Sequence, residues 1–348
     1  MARQLARRFV GATACSGPDA TIASMRIAYL VLSYTNPRQV VRLADRLLSN
    51  DPACHVVIHH DMARTTLDGH GLENRERVHL LAFARNARWG SFTIVRATLR
   101  SLQWISETLM PDWTVVISGQ DYPVRPAEEL HAKLGGSNAD AFLTPGITVD
   151  SHRPTAAEGE ATFWHARYYY RWYRLPQVTR GIRIKGAWRV RRLWGDLSLA
   201  QPFVYVWFLP SNGGTMLGFR RRRTPFDETF RCYGGSHWFA VNRDGAQTLI
   251  DFAMSRPDVV AYYARTVIPE ESFINSVLMG DPHITVETPN LTYNRFALVG
   301  SPHPEMLTIA DLDAIEESGA FFARKIDGSD EQLIGALDAR LDERRALR

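Results

Sequence analysis

A chain of 348 residues with 45% hydrophobic content can bury a large core as one big domain or two intimate ones, which excludes intrinsic disorder. Its formal net charge of +4 fits an anionic ligand and equally fits ordinary solubility. Cys15, Cys54 and Cys232 are odd in number and far apart, which excludes a disulfide framework or a Cys-x-x-Cys metal site and fits a reducing compartment; no run approaches the roughly 18 to 20 apolar residues that span a bilayer.

Residues 1-24 place Arg3, Arg7 and Arg8 before the short apolar patch Phe9 to Ala12, a thin likeness of a signal peptide's hydrophobic region. Lipoprotein and transit-peptide readings stay open there. The favoured expectation is a disordered extension with Met25 as the true start, because a buried strand begins at once with Ile27 to Leu32. After Pro37, Val40, Leu43, Leu47 and Leu48 recur at helical spacing, and Val56-Val57-Ile58 forms a second strand ending at His59-His60-Asp61. In such a βαβ unit ligand groups gather at the carboxyl ends of the strands, so Asp61 is placed to accept hydrogen bonds from a nucleotide base or ribose. A metal site at His59-His60-Asp61 competes with that reading, but neighbouring strand residues point to opposite faces.

A third strand is expected around Val78 to Leu81, and Trp89-Gly90-Ser91 opens a helix carrying Val95, Leu99, Leu102 and Ile105, with Ser91 as its N-cap. Trp113 to Ser118 then forms a strand running into the polar turn Gly119-Gln120-Asp121-Tyr122-Pro123. An Asp-x-Asp metal clamp would suit such a strand end, yet Asp121 stands alone; no metal is expected, and turn capping is its competing role. The absence of a Gly-rich phosphate loop means that any donor diphosphate must be met by side chains.

From Trp164 to Trp194 the chain carries Arg167, Arg171, Arg174, Arg180, Arg183, Lys185, Arg189, Arg191 and Arg192 with no acid, interleaved with tyrosines and tryptophans. Three readings stay open for this segment: an arm that binds the acceptor or a membrane surface, a solvated helical insertion, or nucleic-acid binding, which no surrounding module supports. Arg220 to Arg223 extends the same basic face or forms a polar loop.

Tyr233-Gly234-Gly235-Ser236-His237-Trp238-Phe239 precedes Pro269-Glu270-Glu271-Ser272-Phe273, and together they read as a sugar-transfer site. The glycine pair lets backbone approach a ligand, Trp238 offers an apolar face to a sugar ring, and Pro269 suits the first turn of a helix whose start carries the carboxylates. Gly235, Ser236, Trp238 and Glu270 fall on the sugar and acceptor side, with Glu271 as candidate general base; dipole complementation is the bland alternative. Asp311-Leu312-Asp313 is explained by a capping box starting at Thr308. Leu333, Leu337 and Leu341 recur at a period of four in a tail expected to pack on the domain.

These segments, with Ile58 to Asp61, Trp89-Gly90, Ser118 to Pro123, Ser301-Pro302-His303-Pro304 and Ala323-Arg324-Lys325, resemble in order and spacing the core-2/I-branching β-1,6-N-acetylglucosaminyltransferase family, which includes the peptide O-xylosyltransferases. The resemblance covers residue 25 to about 327. It implies an α/β, GT-A-like (Rossmann-related) glycosyltransferase fold, a single large domain with a basic aromatic helical insertion. The expected organisation is 1-24 extension, 25-327 glycosyltransferase domain (25-145 nucleotide-binding half, 146-224 insertion and acceptor region, 225-327 catalytic half) and 328-348 amphipathic helix.

The resemblance further implies an inverting, metal-independent enzyme with no cofactor beyond its UDP-sugar co-substrate. By it, Val31 and Asp61 flank the uracil, Asp121 joins the nucleotide site, Glu271 deprotonates the acceptor hydroxyl, and Arg324 and Lys325 hold the leaving diphosphate. His303 stands near a position where vertebrate members carry arginine, and is either a weaker, pH-dependent phosphate contact or a loop stabiliser. GlcNAc is the expected donor sugar, UDP-xylose the alternative, and an inactive carbohydrate-binding protein the reading from another class. The implied acceptor is carbohydrate, lipid-linked or peptide. Lacking the anchor and disulfides of the vertebrate enzymes, a bacterial-type member is expected in the cytoplasm, with peripheral contact to an anionic inner membrane face and no nucleic-acid partner.

Overall fold

The computed structural model describes residues 25–67, 69, 71–82, 90–150, 159–175, 202–209, 214–297 and 303–347; residues 1-24, Trp89, Ser301 and Pro302 of the sequence reading lie outside them. The first strands are β1 (Ile27–Ser33), β2 (His55–His60), β3 (Val78–Leu81) and β4 (Trp113–Ser118). Between β1 and β2 runs α1 (Pro37–Asn50), and between β3 and β4 runs α2 (Phe92–Thr108). All neighbouring pairs in the order β3-β2-β1-β4 are parallel, so the chain moves outward from β1 to β3 and then returns to the other side of β1. That reversal creates a crevice at the carboxyl ends of β1 and β4, where open α/β sheets bind ligands.

Among the described residues the sheet has seven strands. β12 (Phe239–Asn242) runs antiparallel beside β4, and β6 (Ala141–Phe142) and β13 (Val286–Glu287) complete that edge. Because β12 is antiparallel, its first residues lie at the same edge as the carboxyl ends of the parallel strands. Period-two alternation divides the strand residues between the two faces. Ala28, Leu30, Val57 and Val116 enter one core with Val95, Leu102 and the buried aromatics of the C-terminal half. Ile27, Tyr29, Val31, Ile58 and Ile117 enter the other with Val40, Leu43 and Leu47 of α1.

α1 starts as its sequence predicts: Asn36 caps it by accepting from the Gln39 N–H, and Pro37 fills the first turn. Ser91 precedes α2 without a capping bond; its hydroxyl meets Thr93 instead, 2.6 Å away. The final helix, Glu331–Ala346, buries Leu333, Ile334, Leu337 and Leu341, as the period of four predicts. It is tied to α1 by Arg42–Glu331 at 2.5 Å and by Arg46 with Asp338 and Asp342, each at 2.9 Å.

The basic aromatic segment departs from the expected helical insertion. Helix Gly159–Tyr169 ends where β8 (Tyr170–Arg174) begins, and β8 forms a three-stranded antiparallel sheet with β9 (Val204–Leu209) and β10 (Gly214–Arg220). Tyr168, Tyr169, Tyr170 and Trp172 are buried in the first core, so hydrophobic burial outweighs the charge of the neighbouring arginines. Arg180 to Trp194 lie outside the described residues.

Candidate functional site

The two carboxylates occupy a one-turn 3₁₀ segment, Pro269–Glu271, not the first turn of an α-helix; the helix Phe273–Gly280 starts after it. Ile268, in the left-handed region at φ 53°, turns the chain into that segment. Two backbone-directed bonds dock the turn on Gly90: the Ile268 N–H donates to the Gly90 carbonyl at 3.1 Å, and the Gly90 N–H donates to Glu270 Oε1 at 2.9 Å. Tyr168 fastens it from the other side by donating its hydroxyl to the Ile268 carbonyl at 3.0 Å.

Adjacent in sequence, the carboxylates face different surroundings. Glu270 is 3% exposed, its Oε2 makes no hydrogen bond among the described residues, and burial pushes its pKa up to about 8. The Glu271 side chain keeps 27% of its exposure and accepts from Arg167 Nη1 at 2.5 Å. Arg167 is itself buried, with its guanidinium over the rings of Phe163 and Trp164 at 4.0 and 4.4 Å. A flat cation between aromatic faces has little freedom, so Glu271 is held by a fixed donor.

The glycine pair explains the position of that clamp. A Cβ on Gly234 would lie 2.5 Å from Cε3 of Trp164, and one on Gly235 would lie 2.5 Å from the Thr144 carbonyl. The close approach expected for a ligand is made by the protein's own Trp164 and Thr144. Ser236 is part of the same frame: its N–H donates to the Thr144 carbonyl at 3.0 Å, and its hydroxyl accepts from the Trp238 N–H at 3.1 Å.

A second cluster sits at the crevice between β1 and β4. Arg324 ends β15 (Phe322–Arg324), and its Nε stands 3.1 Å from Asp121 Oδ1 without a well-directed hydrogen bond, so the contact is electrostatic. Asp121 also closes its own turn by accepting from the Ser118 N–H at 2.9 Å. Fully buried, Asp121 is pushed up to about 6 despite Arg324. The Arg324 guanidinium covers one face of the Trp238 indole, 4.4 Å from the ring centre. Burial lowers the Arg324 pKa, and the charges of Asp121 and Glu271 draw it back up. The base candidate and the cation therefore share one field.

Lys325 and His303 lie beside Arg324: burial lowers both pKa values, and the Arg324 charge lowers each further, as Lys325 does for His303. Asp61 follows β2 directly; its N–H donates to the Ser33 carbonyl at 2.9 Å and its Oδ1 accepts from the Ala63 N–H at 3.2 Å. His60 is held by Ser33 and Thr65, both at 2.8 Å. The Val31 side chain is 1% exposed within the α1-side core, and Ser33 ends β1 at the crevice with Tyr34 just beyond it. Among the described residues no group of three or more His, Cys, Asp or Glu could hold a metal ion.

The structure thus brings together Glu270, Glu271, Trp238, Asp121, Arg324, Lys325 and His303, while the Val31 side chain packs in the core and Gly235 lies against the Thr144 carbonyl. Sequence reading missed Arg167 and His237 as site residues. Phe163 and Trp164 precede Arg167 by four and three positions, the spacing that puts side chains on one helix face, so the clamp had a legible signal. His237 donates from Nδ1 to the Glu270 carbonyl at 3.1 Å, the only role open to it there because the carbonyl can only accept, and burial lowers it to about 4.

No protein-family model matches the chain. Over 271 residues it is 25% identical to xylosyltransferase 1 of Mus musculus, a match that covers 74% of this chain and 23% of that protein's length. A solved structure assigned as a glucose-1-phosphate thymidylyltransferase from Bacillus anthracis, in complex with a sucrose, aligns over 68% of this chain and 81% of its own at 8% identity; its TM-score of 0.30 is too low to bear on the site. Among the described residues no helix is long and apolar enough to cross a membrane.

Proposed function

We propose that this chain is a GT-A-like, inverting glycosyltransferase that moves a sugar from a UDP-sugar to an acceptor hydroxyl, with Glu271 as general base. The observation that carries the reading is that Glu271 is partly open to solvent, fixed by Arg167, and close enough to Arg324 to influence its protonation. Similarity to a glycosyl-transferring enzyme over 74% of the chain supports the same reaction class.

In this reading the acceptor oxygen attacks the anomeric carbon while its proton passes to the Glu271 carboxylate. The bond from that carbon to the phosphate oxygen breaks, and UDP leaves toward Arg324 and Lys325, with His303 beside them. Fixed cations of this kind stabilise charge that develops in the transition state. Asp61 receives the uracil or ribose at the end of β2, and the free side of Trp238 meets the sugar. Asp121 acts through Arg324 by holding it in place. The proposed reaction needs no divalent metal, because the diphosphate charge meets these side chains.

The relative's name favours a second choice of donor, UDP-xylose, over UDP-GlcNAc. Thermal shift and hydrolysis across UDP, UDP-GlcNAc, UDP-xylose, UDP-glucose and UDP-galactose test the whole reading, each with and without EDTA. Stabilisation by UDP and slow hydrolysis of one UDP-sugar, unaffected by EDTA, are expected. Binding without any turnover would favour an inert carbohydrate-binding protein, and no response to any uridine nucleotide would sink the assignment.

A further inference from the structure

The sheet β8-β10-β9 has one face in the core and one face outward. Trp172 packs inward against Gly218, where a Cβ would lie 3.0 Å from its ring. On the outward face Arg171 stands directly opposite Phe219, its guanidinium 5.3 Å from the Tyr173 ring, and Tyr173 meets Phe219 edge-on at 6.0 Å between ring centres. Phe203, 70% exposed, accepts through its carbonyl from the Arg220 N–H at 2.9 Å; this pair continues the inward row of Gly218 and Tyr205 past the end of β9 and is not part of the patch. Leu175 is exposed at the end of β8.

The same region concentrates positive charge. Arg220, Arg222, Arg223 and Arg265 are exposed, and none of them, nor Arg171, forms a salt bridge with a described carboxylate. Arg171 and Arg265 both oppose the charge of Arg221, so these cations crowd one another. Like charges held together with no counter-ion among the described residues, bordered by exposed hydrocarbon, match a surface that is anionic and has an apolar layer beneath it. Acidic peptides supply the charge without that layer, and flat stacking platforms for bases would not call for Leu175.

We propose that the outward face of β8 and β10 docks on an anionic lipid bilayer, with Phe219 and Tyr173 entering the headgroup boundary and Arg171, together with Arg222 and Arg223 just beyond β10, meeting lipid phosphates and carboxylates. Aromatic anchors combined with arginines are the residue types suited to that interface. The proposal is independent of the sugar-transfer reading, since none of these residues belongs to the site around Glu271.

The test is flotation of the full chain with phosphatidylcholine vesicles, with and without phosphatidylserine, over a salt series. Binding that needs phosphatidylserine and weakens with salt is expected. Each exposed arginine near the surface contributes roughly fivefold to partitioning, so Arg222→Gln with Arg223→Gln should weaken it on the order of twenty- to thirtyfold. Phe219→Ser should also weaken it, with melting temperature and transfer to a soluble acceptor unchanged. If the double variant fails to fold, Phe219→Ser and the salt series still decide. Wild-type protein that ignores phosphatidylserine, or variants that bind like wild type, would overturn the proposal. So would tighter binding of a single-stranded oligonucleotide that displaces the vesicles, which would make nucleic acid the partner.

Discussion

The parallel half of the sheet, β3-β2-β1-β4, and the half that carries the carboxylates position polar groups by different means. In the first, short strands alternate apolar side chains between two cores, and the polar residues Ser33, Asp61 and Ser118 stand where the ladders end. In the second, position depends on single contacts between distant segments: Gly90 with Glu270 across 180 residues, and Arg167 with Glu271 across 104. A ladder distributes its load over many bonds, whereas one guanidinium clamped by two rings does not. Substitutions in the second half should therefore separate chemistry from folding more sharply.

The largest separation is expected at the carboxylates. Glu271→Gln keeps the shape and one oxygen that can accept from Arg167 but removes basicity and the charge of the pair, so transfer should fall about a hundred- to ten-thousand-fold with donor affinity near wild type, while stability falls by up to about 2 kcal/mol. Glu270→Gln should leave much more activity, because Glu270 is buried and its Oε1 is already engaged by the Gly90 N–H. A dead Glu270→Gln enzyme with a nearly normal Glu271→Gln enzyme would reverse the two roles.

A second way to sharpen the contrast is pH. Glu270 has a folded pKa of about 8 against an ordinary 4.5, so the folded state keeps a proton that the unfolded chain loses. Stability should fall as pH rises between those values and level off above about 8, with a slope of at most about 1.4 kcal/mol per pH unit from this group. Below 6.5, His237 opposes the trend, since its folded pKa of about 4 makes stability rise with pH. Asp121, raised to about 6, adds to the fall there. Above 6.5, His131, raised by its bond to Asp51, acts in the same direction as Glu270. Denaturant titrations of wild type and Glu270→Gln from pH 6.5 to 8 isolate the glutamate: the variant should show the shallower slope, and equal slopes would mean that Glu270 is already ionised.

Smaller effects test the clamp. Arg167→Met should cost roughly 2 kcal/mol, the usual range for a hydrogen bond to a charged group, and should lower kcat more than it raises the donor KM. Gly234→Ala should destabilise by about 1 to 3 kcal/mol, because its Cβ would lie 2.5 Å from the Trp164 ring. Unchanged stability would show that Trp164 can move aside. At the other extreme, Gly335→Ala in the last helix meets nothing within 4 Å and should stabilise by about 0.5 to 1 kcal/mol, read as a rise in melting temperature.

The same contrast explains what could be read from the sequence. Ile27 to Leu32, Val56 to Ile58 and Trp113 to Ser118 announce strands because each is a local apolar run, and Pro37 and the leucines after it announce α1 for similar reasons. Local pattern could not reveal that Tyr170 to Arg174 form a strand, since its tyrosines and arginines suit helix and sheet alike and its pairing partner, Gly214–Arg220, lies far along the chain. The Glu270-Glu271 pair was legible, but not the 3₁₀ turn that holds it, which depends on Gly90 and Tyr168. Gly234 and Gly235 were visible as places of close approach, while what approaches them is a matter of tertiary contact.

The ion pairs between α1 and the last helix also set a timetable for the growing chain. Arg42 and Glu331 are separated by 289 positions, and Leu333, Ile334 and Leu337 complete the core that Val40, Leu43 and Leu47 begin. While a ribosome builds the intervening residues, the first βαβ unit can pair its strands but has one apolar flank without its final cover. That flank is where an assisting chaperone would find the nascent protein, and its protection should come late, only after the helix at Glu331–Ala346 has left the exit tunnel.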